Sequence, residues 1–250
     1  LKDRILDVLI STMYHHINSD KYSNNLDVFE KHIKYISENF NSTFPSTVLP
    51  EKAICLVFDD GYYDFYAYVF PLLKKYKVKA LLAVVPKYIL DDTEKEDHER
   101  LNYQHDELFE QYKNASFCTY KELKEMQDSQ LIQIVSHSYS HVNLLGDDVD
   151  RLEELQKSKQ VLETKLNIKV DSFVYPFGKY NQAVLNETMK HYAYSFRIGN
   201  GINKNFSGVN NVIYRVNADN LVDEKSLFSF ANMSKYWFKT WVKRIVGNRK

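Results

Sequence analysis

Short unbroken apolar runs alternate along this chain with longer stretches in which apolar residues recur every three or four positions. Ala53-Ile54-Cys55-Leu56-Val57-Phe58 is the clearest run, and six apolar residues without a break read as a strand covered on both faces. From Tyr63 to Tyr76 the spacing of Phe65, Val69, Leu72 and Leu73 predicts a helix, with Pro71 marking a kink. Ala80 to Val85 reads as a second strand, stopped by Pro86. Thr119 and Glu122 form a capping box ahead of Leu123 and Met126, so a helix starts there. Leu131–Val135 follows as a third strand, and Leu152, Leu155, Leu162 and Leu166 share one face of the next helix. Phe173-Val174-Tyr175, halted by Pro176, is a fourth strand. Leu9–Tyr14, Tyr194–Ile198 and Val212–Val216 are further strand candidates. Strands alternating with helices imply a parallel sheet, and at 250 residues a closed or nearly closed β/α barrel in one domain is the economical solution.

Two segments leave this rhythm. The acid-rich stretch near 91–112 follows a strand, which places it on the C-terminal rim of a barrel, either bordering a site or as a solvated insertion. The tail near 235–250 is basic and aromatic. Trp237, Phe238, Trp241, Val242 and Ile245 share a helical face that Lys239, Lys243 and Arg244 leave. Packing of that face against the barrel is the favoured reading, and peripheral contact with an anionic membrane is the alternative.

The charge balance narrows the partners. With 33 Lys+Arg against 33 Asp+Glu there is no basic excess, which argues against nucleic acid. No run of about 18 apolar residues spans a membrane. Two cysteines are too few for a disulfide framework, and Cys55 reads as a small buried hydrophobe. The 7 glycines include no phosphate-cradling motif. The chain begins at Leu1 rather than Met, which leaves two expectations open: a cytoplasmic or membrane-peripheral protein, or an exported one whose leader has been removed.

Chemistry-bearing residues cluster where the apolar runs end. Asp59-Asp60-Gly61 follows the best strand, His137-Ser138-Tyr139-Ser140-His141 the third, and Tyr175-Pro176-Phe177-Gly178 ends the fourth. Tyr14-His15-His16 follows Leu9 to Tyr14. Strand C-termini of a parallel β/α fold meet on one face, so these groups converge. A four-residue spacing brings two imidazoles to one point if the backbone turns helically there. One carboxylate with two imidazoles makes an open site suited to Zn²⁺, and fits Mg²⁺ worse. His98 and His105, in the polar segment, are expected to be solvent-exposed.

Val57-Phe58-Asp59-Asp60-Gly61 resembles the first motif of the NodB-type polysaccharide deacetylases (carbohydrate esterase family four), His137-Ser138-Tyr139-Ser140-His141 the second, and Tyr175-Pro176-Phe177-Gly178 the third. The resemblance implies a distorted barrel of about seven parallel strands and metal-dependent removal of the N-acetyl group of an amino sugar in a glycan or glycolipid. It implies that Asp60, His137 and His141 bind a divalent metal, most simply Zn²⁺, with Co²⁺, Ni²⁺ or Fe²⁺ as alternatives. Asp59 would be the general base, and Tyr175, Pro176 and a backbone N–H near Phe177 would border the substrate and its oxyanion. The family's usual acid, a His in a late Leu-x-His motif, is absent, since no His follows His191. Tyr14-His15 resembles instead the N-terminal Tyr-His motif of the poly-N-acetylglucosamine deacetylase branch. That assigns the acid to His15, with His16 as the lesser choice, because strand alternation turns the two in opposite directions. The third motif also lacks the leading Arg that elsewhere pairs with the base. Arg197 or Arg215 could replace it, although a strand-end salt bridge is the plainer reading of both. A deformylase acting on a lipid-linked sugar and a non-catalytic glycan-binding barrel remain the alternatives.

Overall fold

The computed structural model describes residues 8–247. Seven parallel strands follow one another around a barrel: β1 (Leu9–Tyr14), β2 (Ala53–Phe58), β3 (Ala80–Val84), β4 (Ile132–Ser136), β5 (Ser172–Val174), β6 (Tyr194–Ile198) and β7 (Ile213–Asn217). β1 pairs with β2 along its whole length, from Leu9 opposite Ala53 to Tyr14 opposite Phe58. On its other edge Ser11 meets Arg215 of β7, which closes the ring. The thinnest seam is β4–β5, where the register rests on Ser136 opposite Phe173. A two-residue strand, Asn41–Ser42, flanks the start of β2.

The unbroken apolar runs are explained by two separate layers of core. Leu9, Ala53, Cys55, Val57, Leu81, Ala83, Val135, Val174, Phe196 and Ile213 fill the barrel interior. Residues of the opposite parity, such as Ile54, Leu56, Leu82, Ile134 and Phe173, face the surrounding helices. These are α1 (Leu26–Asn39), α2 (Phe70–Tyr76), α3 (Tyr120–Asp128), α4 (Ser158–Leu166) and α5 (Gln182–His191). They contribute Phe29, Ile33, Leu73, Leu123 and Leu162 to the outer layer. Each fully buried side chain of this size stabilises the fold by about 1.5–3 kcal/mol relative to exposure. Asn25 caps α1 by accepting from the amides of Asp27 and Val28. Thr119 and Glu122 form the anticipated capping box at α3. Pro71 causes no break, because a wide π turn (Phe65–Val69) precedes it and it sits in the first turn of α2.

The tail corrects the favoured reading of its packing. Helix α6 (Phe230–Gly247) starts earlier than anticipated, and residues 248–250 lie outside those described. It docks through Met233, Tyr236 and Thr240, and of the anticipated face Trp237 packs against the core while Phe238, Trp241, Val242 and Ile245 do not. Thr240 Oγ1 accepts from the Ile202 amide at 2.7 Å. Gly199 and Gly201 form a ledge without side chains, and a Cβ on Gly201 would stand 3.0 Å from Thr240 Oγ1. A small hydroxylated residue fits that ledge and an indole does not. Phe238 and Trp241 consequently face outward, 64% and 59% exposed. No described helix is long and apolar enough to cross a membrane.

The polar segment is anchored rather than loose. Arg100 is buried, donates to both Glu122 carboxylate oxygens at 2.6 and 2.9 Å, and lies over the Tyr63 ring.

Candidate active site

Strand parity carries the interior pattern straight into the chemistry. Leu9 faces the barrel interior, and the same phase places His15 at the top of β1. Ala53, Cys55 and Val57 lead to Asp59, Val135 leads to His137, Phe196 to Ile198, and Ile213 to Arg215. All of these end residues line one cavity of about 260 Å³ at the C-terminal mouth. Asp60 has the wrong parity and still reaches the cavity, because its backbone is left-handed (φ 72°) and Gly61 follows at φ 80°. Ser138 (φ 63°), His141 (φ 57°) and Phe177 (φ 56°) are left-handed as well. The His137–His141 loop is therefore not a helical turn, as the four-residue spacing suggested. It is tied down by buried Glu154, which accepts from the Ser140 amide at 2.9 Å and the Ser140 hydroxyl at 2.5 Å. Strain at non-glycine positions around a cavity marks a functional site.

Asp60, His137 and His141 each present one ligand atom, all within 4.8 Å of one another. Asp60 Oδ1 lies 3.5 Å from His137 Nε2 and 3.2 Å from His141 Nε2, yet it is buried with no hydrogen-bond partner. His137 Nδ1 donates to the Val174 carbonyl at 2.8 Å, which leaves the Nε2 lone pair facing Asp60. Burial holds the His137 pKa down, to about 4, so this ring is neutral. Burial alone would raise the Asp60 carboxyl, but His141 and His137 outweigh it and bring it to about 2. A carboxylate and two imidazoles converging without hydrogen bonds among themselves is the donor set of a divalent metal.

Arg215 offsets the charge of Asp59. Its Nη1 and Nη2 donate to Asp59 Oδ1 and Oδ2 at 2.5 and 2.9 Å, and both partners are buried. Burial alone would raise the Asp59 carboxyl, and the positive groups around it, the Arg215 guanidinium foremost, more than reverse it. The plainer reading of Arg215 as a strand-end salt bridge is thus corrected. Arg197 instead donates to the Ile198 carbonyl and lies over Tyr180 and Tyr214. His15 Nε2 approaches Asp59 Oδ2 at 3.9 Å, while its Nδ1 and amide bond Asp219 at 2.8 and 3.0 Å. Burial disfavours charge on His15, but the bond to Asp219 outweighs it and lifts the pKa to about 9. His16 is turned away and pairs with Asp64. Asp219 was missed, although it follows a strand end exactly as the other acids do, two residues past β7.

The walls are aromatic. Phe109 stacks on His141 at 4.9 Å, and Phe177, 60% exposed, stands 4.7 Å from the same ring. Tyr175 borders the cavity, its ring stacked on Tyr180, and Pro176 is buried in the turn beneath Phe177. His98 is exposed as expected, but His105 is not: it lines the cavity with Tyr22 and Phe109. The polar segment folds back over the rim and brings it there.

The fold and cavity define a class of β/α barrel with a divalent-metal donor set at its C-terminal mouth. The family model for polysaccharide deacetylase matches residues 46–195, more than half of the chain, and the chain belongs to that family. The putative polysaccharide deacetylase YxkH of Bacillus subtilis (strain 168) is 29% identical over 193 residues, covering 71% of this chain and 60% of that protein. The poly-beta-1,6-N-acetyl-D-glucosamine N-deacetylase of Escherichia coli (strain K12) is 28% identical over 170 residues, covering 57% of this chain and 24% of that protein. The chain thus spans about a quarter of one relative and less than two thirds of the other. Among solved structures, Streptococcus pyogenes deacetylase PplD superposes with a TM-score of 0.71 at 24% identity, over 89% of this chain and 97% of that one. IcaB from Ammonifex degensii gives 0.67 at 22% identity, over 86% and 93%. These two establish the barrel.

Proposed function

We propose that this chain is a metal-dependent hydrolase that removes the N-acetyl group from an amino sugar of a polysaccharide or oligosaccharide. The observation that carries the reading is the convergence of Asp60, His137 and His141 beside the Arg215-held Asp59. The names of relatives that act on poly-beta-1,6-N-acetyl-D-glucosamine support N-acetylglucosamine as the sugar. Two nitrogens and one oxygen favour Zn²⁺ as the metal on Asp60, His137 and His141. When bound, it supplies Lewis acidity toward an acetamide carbonyl and lowers the pKa of water toward ~7. Asp59, kept ionised by Arg215, takes the proton from the attacking water. His15, kept protonated by Asp219, gives a proton to the departing nitrogen, which cannot leave as an amide anion. Phe109 and Phe177 offer flat apolar faces to the sugar ring. Incubation with β-1,6-linked and β-1,4-linked N-acetylglucosamine oligomers and added Zn²⁺ or Co²⁺ tests the reading. Release of acetate with matching free amine supports it, and no acetate from any oligomer overturns it.

The outward stripe of α6 supports peripheral contact with an anionic lipid surface. Phe238, Trp241, Val242 and Ile245 are exposed along it, Lys235, Lys239 and Arg244 flank it, and no acid occurs from Phe230 to Gly247. Aromatic burial and basic flanks together suit such a surface. Lys243 of the same helix donates to the Gly199 carbonyl, next to cavity-lining Ile198. Contact through α6 would bring the Gly199 edge of the mouth near the lipid surface.

A further inference from the structure

Three side chains form a row that the proposed reaction leaves unused. Asp64 Oδ2 accepts from His16 Nδ1 and from the Ile17 amide, both at 2.9 Å. The other nitrogen of that imidazole, Nε2, faces His105 Nδ1 at 3.1 Å. Tyr62 stacks on His16 with centroids 4.0 Å apart, which fixes the plane of the ring. His105 is also held from outside the row, its amide donating to Asp20 Oδ1 at 2.9 Å.

The row orders protons as well as positions. A carboxylate oxygen only accepts, so His16 Nδ1 carries a hydrogen. In the neutral ring Nε2 is then an acceptor, and His105 Nδ1 donates to it. Burial lowers the His105 pKa and favours its neutral form. A neutral His105 of this tautomer carries a bare lone pair on Nε2, and no group among the described residues hydrogen-bonds to it. His105 lines the same cavity as Asp59, Asp60, His137 and His141.

We propose that His105 recognises substrate, its Nε2 accepting a hydrogen bond from a hydroxyl of the sugar, with Asp64 and His16 as positioning residues behind it. The identity of the sugar rests on the deacetylase reading above. A loop histidine with nothing to bind needs no buried carboxylate to set its tautomer, and Asp64 keeps its Oδ1 buried without a partner to do so. A lone pair of fixed direction distinguishes a hydroxyl from a carbon-bound hydrogen, which is what selection among sugars requires.

The test compares His105→Phe, which keeps a flat ring without nitrogen, with His105→Gln, which returns an amide near the place of Nε2. His105→Phe should raise KM for an N-acetylated oligosaccharide roughly three- to tenfold, with kcat changed less than KM, and His105→Gln should recover part of the loss. Metal stoichiometry should be unaltered. Asp64→Asn should raise KM in the same direction by a smaller factor. Among monodeoxy sugars, one should lose that factor with the unmodified protein and lose nothing further with His105→Phe. An unchanged KM in His105→Phe, or deoxy penalties identical in both proteins, overturns the assignment. If the unmodified protein released no acetate, the deacetylase reading would fail, while calorimetric affinities for the same oligosaccharides would still decide this one. Equal affinity of the two proteins, or no binding by either, overturns it.

Discussion

Arg215 grips both carboxylate oxygens of Asp59 across β1, the one strand between them, at 2.5 and 2.9 Å, and both partners are buried. The two are 156 residues apart in the chain. The pair favours the ionised form of Asp59, the proposed base, against a burial that alone would raise its pKa. Replacing Arg215 by Met leaves a buried charge uncompensated, which costs on the order of 3–5 kcal/mol when one partner of such a pair is removed. Urea denaturation of Arg215→Met should show that loss. The acid limb of its pH–rate profile should move to higher pH, because the Asp59 carboxyl rises without the guanidinium. A limb that stays in place would mean that Asp59 is not the group being titrated.

Asp59→Asn keeps the shape and removes the proton acceptor. Acetate release should fall by about 10²–10⁴-fold, the range of general-base contributions. The metal content, measured by elemental analysis, should stay at the unmodified level, because Asp60, His137 and His141 are untouched. Turnover close to that of the unmodified protein would remove Asp59 from the role of base.

Asp219 sets the protonation of His15. Burial pulls the imidazole down and the Asp219 bond lifts it past that, to about 9, so the proposed acid is charged at neutral pH. A divalent cation nearby opposes the charge, so the alkaline limb of the loaded enzyme should fall at or below about 9. Asp219→Asn should move that limb to lower pH and leave the acid limb alone. Rates across pH 6–10 check this; coincident alkaline limbs would exclude His15 as the acid. The same link affects folding with a definite sign: the raised pKa stabilises the fold below about 6.5, and that contribution is lost as pH rises through about 9.

His32 acts with the opposite sign. It is buried, its Nδ1 donates to the Glu224 carbonyl at 2.7 Å, and its Nε2 accepts from the Tyr14 hydroxyl at 2.8 Å. Burial holds its pKa down, to about 4. Its stabilising contribution is complete above about 6.5 and is lost as pH falls through about 4, because the unfolded chain takes up a proton that the folded one refuses. Between those limits the stability advantage of the unmodified protein over His32→Gln should narrow by about 3 kcal/mol. Denaturant titrations at intervals across that range measure it.

The α6 stripe makes its own prediction. Binding to vesicles containing phosphatidylglycerol should weaken about tenfold in Phe238→Ser/Trp241→Ser, and should weaken with salt in the unmodified protein. Sedimentation with vesicles reads both. Equal binding by the two proteins would point to a protein partner or a further part of the chain on that face.

The strands and the convergent acids and imidazoles were legible because each lies at the edge of an apolar run, where the switch from buried to polar is abrupt. Asp59, Asp60, His137 and His141 all have that neighbour. Arg215 did not stand out, because a lone cation within Ile213–Asn217 has the same local pattern as any strand-end charge. Its partner is decided by barrel closure, a long-range event. The left-handed backbones of Asp60, Ser138 and His141 were invisible, since none is glycine. The position of His105 was misjudged because polar composition suggested a solvated segment, whereas Arg100, far from solvent, pins that segment to α3. The tail showed its apolar stripe but not its docking side, which a glycine ledge determines.

Because the reactive side chains continue the inward phase of their strands, the packing frame and the chemical frame are one. Deleting a single residue within Ala53–Phe58 would put Asp59 out of phase with the interior residues that precede the deletion, so either Asp59 turns out of the barrel or those residues leave its interior. Drift can therefore rewrite the rim, where recognition resides, far more freely than it can change the length of a strand beneath it.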